Sequence, residues 1–140
     1  MHDGIRNEDV QQLTFADESF DVVTSNQVFE HVPDDRRGYA ECLRVLKPGG
    51  ALIFTVPLYD TPHSETIARL APDGRIEWLG TPEFHDSRLG GPKSAPAFHR
   101  HSLHDIADRV RGTGFARVTV EQTSVLRDGA LAQPVVYAVK

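Results

Sequence analysis

Ser19-Phe20-Asp21-Val22-Val23-Thr24-Ser25, then Pro33-Asp34-Asp35, then Leu46-Lys47-Pro48-Gly49-Gly50-Ala51-Leu52-Ile53-Phe54-Thr55-Val56-Pro57 is the stretch whose reading decides the fold. Residues 20–25 are predicted to be a strand, with Phe20, Val22 and Val23 apolar. Pro33-Asp34-Asp35 starts a helix, because proline is tolerated in a first turn and acidic side chains complement the helix dipole there. Tyr39, Leu43 and Leu46 recur at i, i+4 and i+7 and form one apolar stripe. Arg44 and Lys47 occupy the last turn, and Pro48-Gly49-Gly50 stops the helix. Residues 51–56 are apolar except for Thr55, which suits a strand buried on both faces. Strand, helix and strand in this order make one βαβ unit with a right-handed crossover.

Working outward, residues 5–7 read as the tail of a short strand and residues 11–19 as a connection. From Leu58 to His101 the pattern loosens, and Pro62, Pro72, Pro82, Pro92 and Pro96 punctuate it. Within it, residues 64–70 are expected to form a short helix and residues 76–79 a short extended piece. An irregular segment of that length in a compact domain is commonly functional or a packed excursion. Ser102 and Asp105 are expected to form a capping box, with Leu103, Ile106 and Val110 as the buried stripe of a helix that Gly112 and Gly114 end. Residues 115–122 and 135–139 are the last two strands, expected as an antiparallel hairpin turned by Arg127-Asp128-Gly129.

A length of 140 residues fits a single domain with a real core. Hydrophobic residues at 39% and charged residues at 25% exclude a disordered chain. A net charge of −5 with no basic cluster excludes a nucleic-acid surface. No apolar run approaches the roughly 18 residues of a membrane span, so no membrane partner is expected. The single cysteine, Cys42, permits no internal disulfide. The N-terminal residues carry no apolar signal region, and a cytoplasmic location is expected.

The order of these segments resembles the middle of class I S-adenosylmethionine-dependent methyltransferases of the small-molecule type. Asp9-Val10 stands where an acidic residue and an apolar one end the family's third strand. Leu13-Thr14-Phe15, Asp17 and Ser19-Phe20-Asp21 match the lead-in to its fourth strand, with Thr14 replacing the usual proline. Ser25 to Val32 lies just past that strand, and residues 43–50 with the following strand match a late structural motif. Thr81-Pro82-Glu83-Phe84-His85-Asp86 resembles a loop of a bacterial subgroup, and Gly114-Phe115 opens another family strand. The family's G-x-G-x-G loop has no counterpart. Gly112-Thr113-Gly114 follows a helix and precedes a strand, the reverse of the order a cofactor loop needs.

The resemblance implies an α/β, Rossmann-like methyltransferase fold that is incomplete: the C-terminal half of the sheet, mostly parallel, with a final antiparallel hairpin. Residues 1–140 are read as a single partial domain, with the loop-rich insertion 58–101 near the acceptor site. The implied cofactor is S-adenosylmethionine. Asp9 and Val10 would hold its adenine, since a carboxylate accepts from the exocyclic amine and a backbone N–H donates to a ring nitrogen. Asn26, Gln27 and Val28 would border its methionine end. The implied partner is a small-molecule acceptor, with no nucleic acid. His31 is the candidate catalytic residue, as a base for an acceptor hydroxyl or amine.

His85, His99, His101 and His104 invite a metal reading, but their irregular spacing lacks a clear ligand set, and no metal is expected. Cys42 reads as a buried, inert thiol. Trp78 and Phe84 either line a substrate pocket or pack the long segment. Residues 20–25 would leave one strand edge bare, which natural proteins avoid. A homodimer or a partner chain through that edge is therefore expected. The rival reading is a non-catalytic half-domain that associates with itself or a partner.

Overall fold

The computed structural model describes residues 5–87, 90–122 and 134–140. In chain order the elements are β1 (Phe20–Asn26), a single 3-10 turn (Phe29–His31), α1 (Asp35–Val45) and β2 (Leu46–Thr55). Then come β3 (Leu58–Tyr59), β4 (Glu65–Thr66), β5 (Ala68–Leu70), β6 (Ile76–Trp78), β7 (Phe84–Ser87), β8 (Gly91–Pro96) and β9 (His99–Ser102). The chain closes with α2 (Ile106–Arg111), β10 (Arg117–Glu121) and β11 (Val135–Val139).

The main sheet has four strands in the order β1-β2-β11-β10. β1 runs parallel to β2, whereas β11 is antiparallel to both β2 and β10. The final hairpin is antiparallel as expected, but the described sheet is mixed rather than mostly parallel. β2 and β11 are its interior strands, and Ala51, Leu52 and Phe54 of β2 are buried. Each large side chain so buried contributes roughly 1.5–3 kcal/mol. Gly50, within β2, has no room for a side chain, because a Cβ there would stand 2.9 Å from the carbonyl oxygens of both Asp21 and Lys47.

α1 covers this sheet with Tyr39, Cys42 and Val45, and α2 adds Ile106 and Val110. Asp34 caps α1 by accepting from the Arg37 N–H at 3.1 Å, worth about 1 kcal/mol. Leu46, expected as the last member of the helix stripe, is buried but already opens β2. Arg44 fastens the preceding connection onto the helix. Its guanidinium donates to the Leu13 and Phe15 carbonyls at 3.0 and 2.9 Å, while Glu41 accepts from the Leu13 N–H at 2.8 Å.

Several expectations are corrected. Residues 64–70 are not helical but form β4 and β5. Ile67 between them accepts from Leu79 N–H at 2.8 Å and donates to Phe98 O at 2.8 Å. Cross-strand partners satisfy this β-branched stretch better than one isolated helical turn can. Of residues 76–79, expected as an extended piece, Ile76–Trp78 form β6 against β5 and Leu79 lies just beyond it. The capping box does not form. The Asp105 carboxylate instead accepts from the Ser64 N–H at 2.8 Å, and the Ser102 hydroxyl accepts from His104 N–H at 3.0 Å. Residues 5–7 are exposed and form no strand. The turn at Arg127-Asp128-Gly129 lies outside the described residues. Among the described residues nothing pairs with the outer edge of β1, as the sequence implied.

Candidate functional site

One feature runs along β1 from Phe20 to Ser25, and a second lies past its carboxyl end. The first is a cavity of about 370 Å³ beside the bare strand edge, walled by Val10, Leu13, Phe20, Val23, Ser25 and Phe29 among others. Its walls are apolar, yet the Ser25 hydroxyl is buried in it without a hydrogen-bond partner. Beyond Ser25 the strand end is laced to β2. The Asn26 side-chain oxygen accepts from the Thr55 hydroxyl, and the Gln27 N–H donates to the Thr55 carbonyl at 2.9 Å. Gln27 takes a left-handed conformation with φ of 53°, which turns the chain away from the sheet. Val28 follows it, exposed. Val10 and the end of β1 are thus brought together, but Asp9 is not. Its exposed carboxylate is turned onto the Gln11 N–H at 2.9 Å and the Gln11 side-chain amide at 3.1 Å.

The second feature is a polar cluster between the 3-10 turn and the long excursion. Glu30 is 1% exposed, and neither side-chain oxygen has a well-formed hydrogen bond. His31 Nε2 and His85 Nδ1 lie 3.8 and 3.9 Å from Glu30 Oε1. Burial pushes the Glu30 carboxyl above its usual range, against the pull of its own backbone N–H and the two imidazoles. Glu83 anchors the far side. It accepts from Tyr59 Oη and His85 Nε2 at 2.9 Å each, and from Arg100 Nε at 2.6 Å. Burial raises its carboxyl, but His85, Arg100 and Tyr59 outweigh that and hold it below the usual range. Burial first, then the Glu83 carboxylate, pushes the Tyr59 hydroxyl up to about 12. The sequence reading passed over Glu30 and Glu83. The available signal was local: Glu30 adjoins His31, and Glu83 stands two residues from His85, the spacing that puts side chains on one face of a strand.

Comparison with known proteins bears on this arrangement. Residues 2–54 match the family model described as a methyltransferase domain. Demethylmenaquinone methyltransferase of Corynebacterium glutamicum is 37% identical over 81 residues, covering 54% of this chain and 35% of that protein. Ubiquinone biosynthesis O-methyltransferase of Hahella chejuensis is 37% identical over 81 residues, covering 52% of this chain and 34% of that protein. The matched stretch thus spans about a third of the length of these curated relatives. The structure of an S-adenosylmethionine-dependent methyltransferase from Mesorhizobium loti superposes with a TM-score of 0.62 at 19% identity, covering 94% of this chain and 67% of that one. The fold is that of S-adenosylmethionine-dependent methyltransferases, and residues 2–54 resemble a methyltransferase domain. A Burkholderia thailandensis 1,6-didemethyltoxoflavin-N1-methyltransferase, solved with S-adenosylhomocysteine, shares the fold at 18% identity and a TM-score of 0.59, covering 94% of this chain and 48% of that one.

By this resemblance the cofactor is S-adenosylmethionine, and the described residues fit part of it. The cavity joins Val10 to the β1 end, has apolar walls for a flat ring system, and holds one orphaned hydroxyl at Ser25. The Asp9 carboxylate must leave Gln11 before it can serve an adenine amine.

Among the described residues, His99, His101 and His104 do not gather into one cluster of metal ligands. Asp35 is 1% exposed and takes two hydrogen bonds from Arg109, Nε to Oδ2 at 2.6 Å and Nη2 to Oδ1 at 2.7 Å. His99 and His101 stand 3.6 and 3.9 Å from the same carboxylate. A guanidinium already neutralises that carboxylate, so a cation there would face a fixed positive charge. His104 lies apart, 2.8 Å from exposed Asp60. Cys42 is buried, and burial pushes its thiol up to about 12, so it is the inert thiol its stripe position implied. Trp78 and Phe84 pack on one another with ring centroids 5.2 Å apart. Among the described residues no helix is long and apolar enough to cross a membrane.

Proposed function

We propose that this chain acts in S-adenosylmethionine-dependent methylation of a small-molecule acceptor, and that it associates with a second copy or a partner chain through the β1 edge. The observation that carries the reading is the apolar cavity along β1, which reaches from Phe20 to Ser25, is walled by Val10, and holds the orphaned Ser25 hydroxyl towards the strand's carboxyl end. Open α/β sheets bind ligands at the carboxyl ends of their strands. The small-molecule substrates named for the relatives support the acceptor class.

Bound S-adenosylmethionine supplies an electrophilic methyl group. Val10, with Asp9 once it leaves Gln11, would hold the adenine side, and Asn26, Gln27 and Val28 would border the methionine end. Residues 58–101 wall the acceptor side, since Phe98 N–H donates to Glu30 O at 2.7 Å and the Pro96 carbonyl meets His31 Nδ1 at 2.8 Å. That contact leaves His31 Nε2 as the nitrogen able to take the acceptor's proton. In-line placement supplies most of the rate in such a transfer. A cytoplasmic location belongs to the same reading.

Calorimetric titration with S-adenosylmethionine and S-adenosylhomocysteine tests the cofactor site. Saturable heat that Val10→Asp abolishes is the expected result, and no heat at millimolar ligand would sink independent cofactor use. His31→Ala should lower turnover by about 10²-fold or more without weakening cofactor binding if His31 is the base. The bare edge with Val22 at 52% exposure favours one rival, a half-domain that associates and does no chemistry. Sedimentation with a dimer and calorimetry without heat would establish that rival.

A further inference from the structure

We propose that Glu30, His31 and His85 form a binding site for a divalent transition-metal ion, most simply zinc, with His31 Nε2, His85 Nδ1 and a Glu30 carboxylate oxygen as ligands. The three ligand atoms lie within 4.8 Å of one another, and this is the set among the described residues that has such geometry.

The tautomers carry the inference. His31 Nδ1 is 2.8 Å from the Pro96 carbonyl, which can only accept, so that nitrogen holds a proton and, in the neutral ring that binds a metal, Nε2 presents its lone pair. His85 Nε2 is 2.9 Å from the Glu83 carboxylate, so Nδ1 presents its lone pair in turn. Both lone pairs face Glu30 Oε1, at 3.8 and 3.9 Å. Three acceptors therefore converge on one point with no donor between them. Glu30 is buried and its oxygens are unpartnered, a costly arrangement unless a cation compensates it. The rings meet edge to face with centroids 4.9 Å apart, which leaves the lone pairs convergent rather than stacked.

The surroundings match those of a metal site. Metal-bound imidazoles characteristically donate their other N–H to a carboxylate or a backbone carbonyl, which fixes ring and tautomer. Here Glu83 and Pro96 supply one of each. Ligands around tetrahedral zinc at ~2.0–2.1 Å stand roughly 3.4 Å apart, so closing the site shortens the two Glu30 contacts by about half an ångström and the widest pair by at most about 1.4 Å. A two-nitrogen, one-oxygen set suits zinc, cobalt or iron better than calcium or magnesium. The His31 and His85 side chains are 23% and 27% exposed, so the fourth position opens to solvent. Three protein ligands with an open position is the arrangement of a catalytic rather than a structural zinc site.

The inference stands on this geometry and does not depend on methyl transfer. A bound ion takes Nε2 of His31 out of use as a base, so His31 serves one role or the other.

The test is a titration of the chelator-treated chain with Co²⁺, followed by visible absorption, with Zn²⁺ as competitor. A saturating site with the d–d bands of four- or five-coordinate Co²⁺, displaced by Zn²⁺, is expected. His85→Ala and Glu30→Gln should abolish those bands. Glu83→Gln, which frees the His85 ring, should weaken binding by about 10–100-fold, and His104→Ala should leave it unchanged. Circular dichroism checks that each variant folds, and His85→Ala alone suffices if Glu30→Gln does not. Absence of such bands in the wild type overturns the proposal, as do bands that survive His85→Ala or disappear with His104→Ala. Binding of Co²⁺ without any heat from S-adenosylmethionine would retain this site while removing the proposed function.

Discussion

The four-stranded sheet with its two helices and the excursion 58–101 are built on different physics. The sheet is held by apolar burial: Phe29, Tyr39, Leu52, Phe54, Ile106, Val110, Val136 and Ala138 share one core. The excursion adds few apolar residues to the buried set, chiefly Ile67, Ala68, Ala97 and Phe98. It is stitched instead by backbone pairs and by charges gathered on Glu83 and Asp35. Hydrophobic packing is tolerant and patterned along the chain, whereas ionic stitching needs particular partners from distant positions. The sheet therefore supplies stability, and the excursion supplies the polar groups that face the site.

The strongest way to break that division is to empty the sheet core. Phe54 is 1% exposed and meets Phe29 at 5.1 Å and Tyr39 at 5.4 Å between ring centroids. Phe54→Ala should cost about 3–5 kcal/mol, read as a lower urea midpoint at unchanged slope. A loss under about 1 kcal/mol would mean that the core lies elsewhere. Arg109→Leu probes the pair that joins the two helices and faces His99 and His101 of the excursion, since it leaves Asp35 buried without its guanidinium. A loss of about 3–5 kcal/mol is expected, and Asp35→Asn combined with it should restore much of the stability. If the double variant is no better than the single one, Asp35 is not an uncompensated charge in Arg109→Leu.

The same contrast explains what the sequence disclosed. β1, α1, β2, α2 and the final strand pair announce themselves through period and punctuation, because one face of each is buried. Val10 and Ser25 were locatable through their place beside those elements. Glu30, Glu83, Asp35 and Arg109 were not, because no local pattern says which carboxylate meets which cation. Asp35 read as a helix-start charge, which it is, but its partner lies 74 positions onward. Residues 64–70 read as a helix because their partners, Phe98 and Leu79, are supplied by tertiary structure.

A smaller effect comes from pH. Burial, ahead of the charges around it, pushes the His101 imidazole down to about 4 from its ordinary 6.5, and His99 moves in the same direction. Between those pH values the unfolded chain binds a proton that the folded chain refuses. Stability is therefore complete above pH 6.5 and falls as pH drops towards 4, by about 3 kcal/mol for His101 at ~1.4 kcal/mol per pH unit. Asp35 acts lower. Burial raises its carboxyl, but the Arg109 hydrogen bonds and the nearby cations outweigh that, so its contribution is lost only below its ordinary 3.8. Urea midpoints across this range should show the loss, and His101→Gln should flatten it. Equal slopes in the two proteins would place the titration in other groups.

The smallest effect sharpens the comparison from the excursion's side. Arg69 and Glu77 face each other across β5 and β6 at 2.7 Å, with side chains 64% and 47% exposed. Water screens such a pair, and holding two long side chains in one geometry costs entropy, so Arg69→Ala should lose under about 1 kcal/mol. Added salt should shrink even that difference. The Glu83 group, with its carboxylate 17% exposed and three donors converging on it, should resist salt far better. Hydrogen exchange at β5–β6 and at β7–β8 separates the two cases. Equal salt sensitivity in both hairpins would mean that burial of Glu83 contributes nothing, and that the excursion is held by its backbone pairs alone.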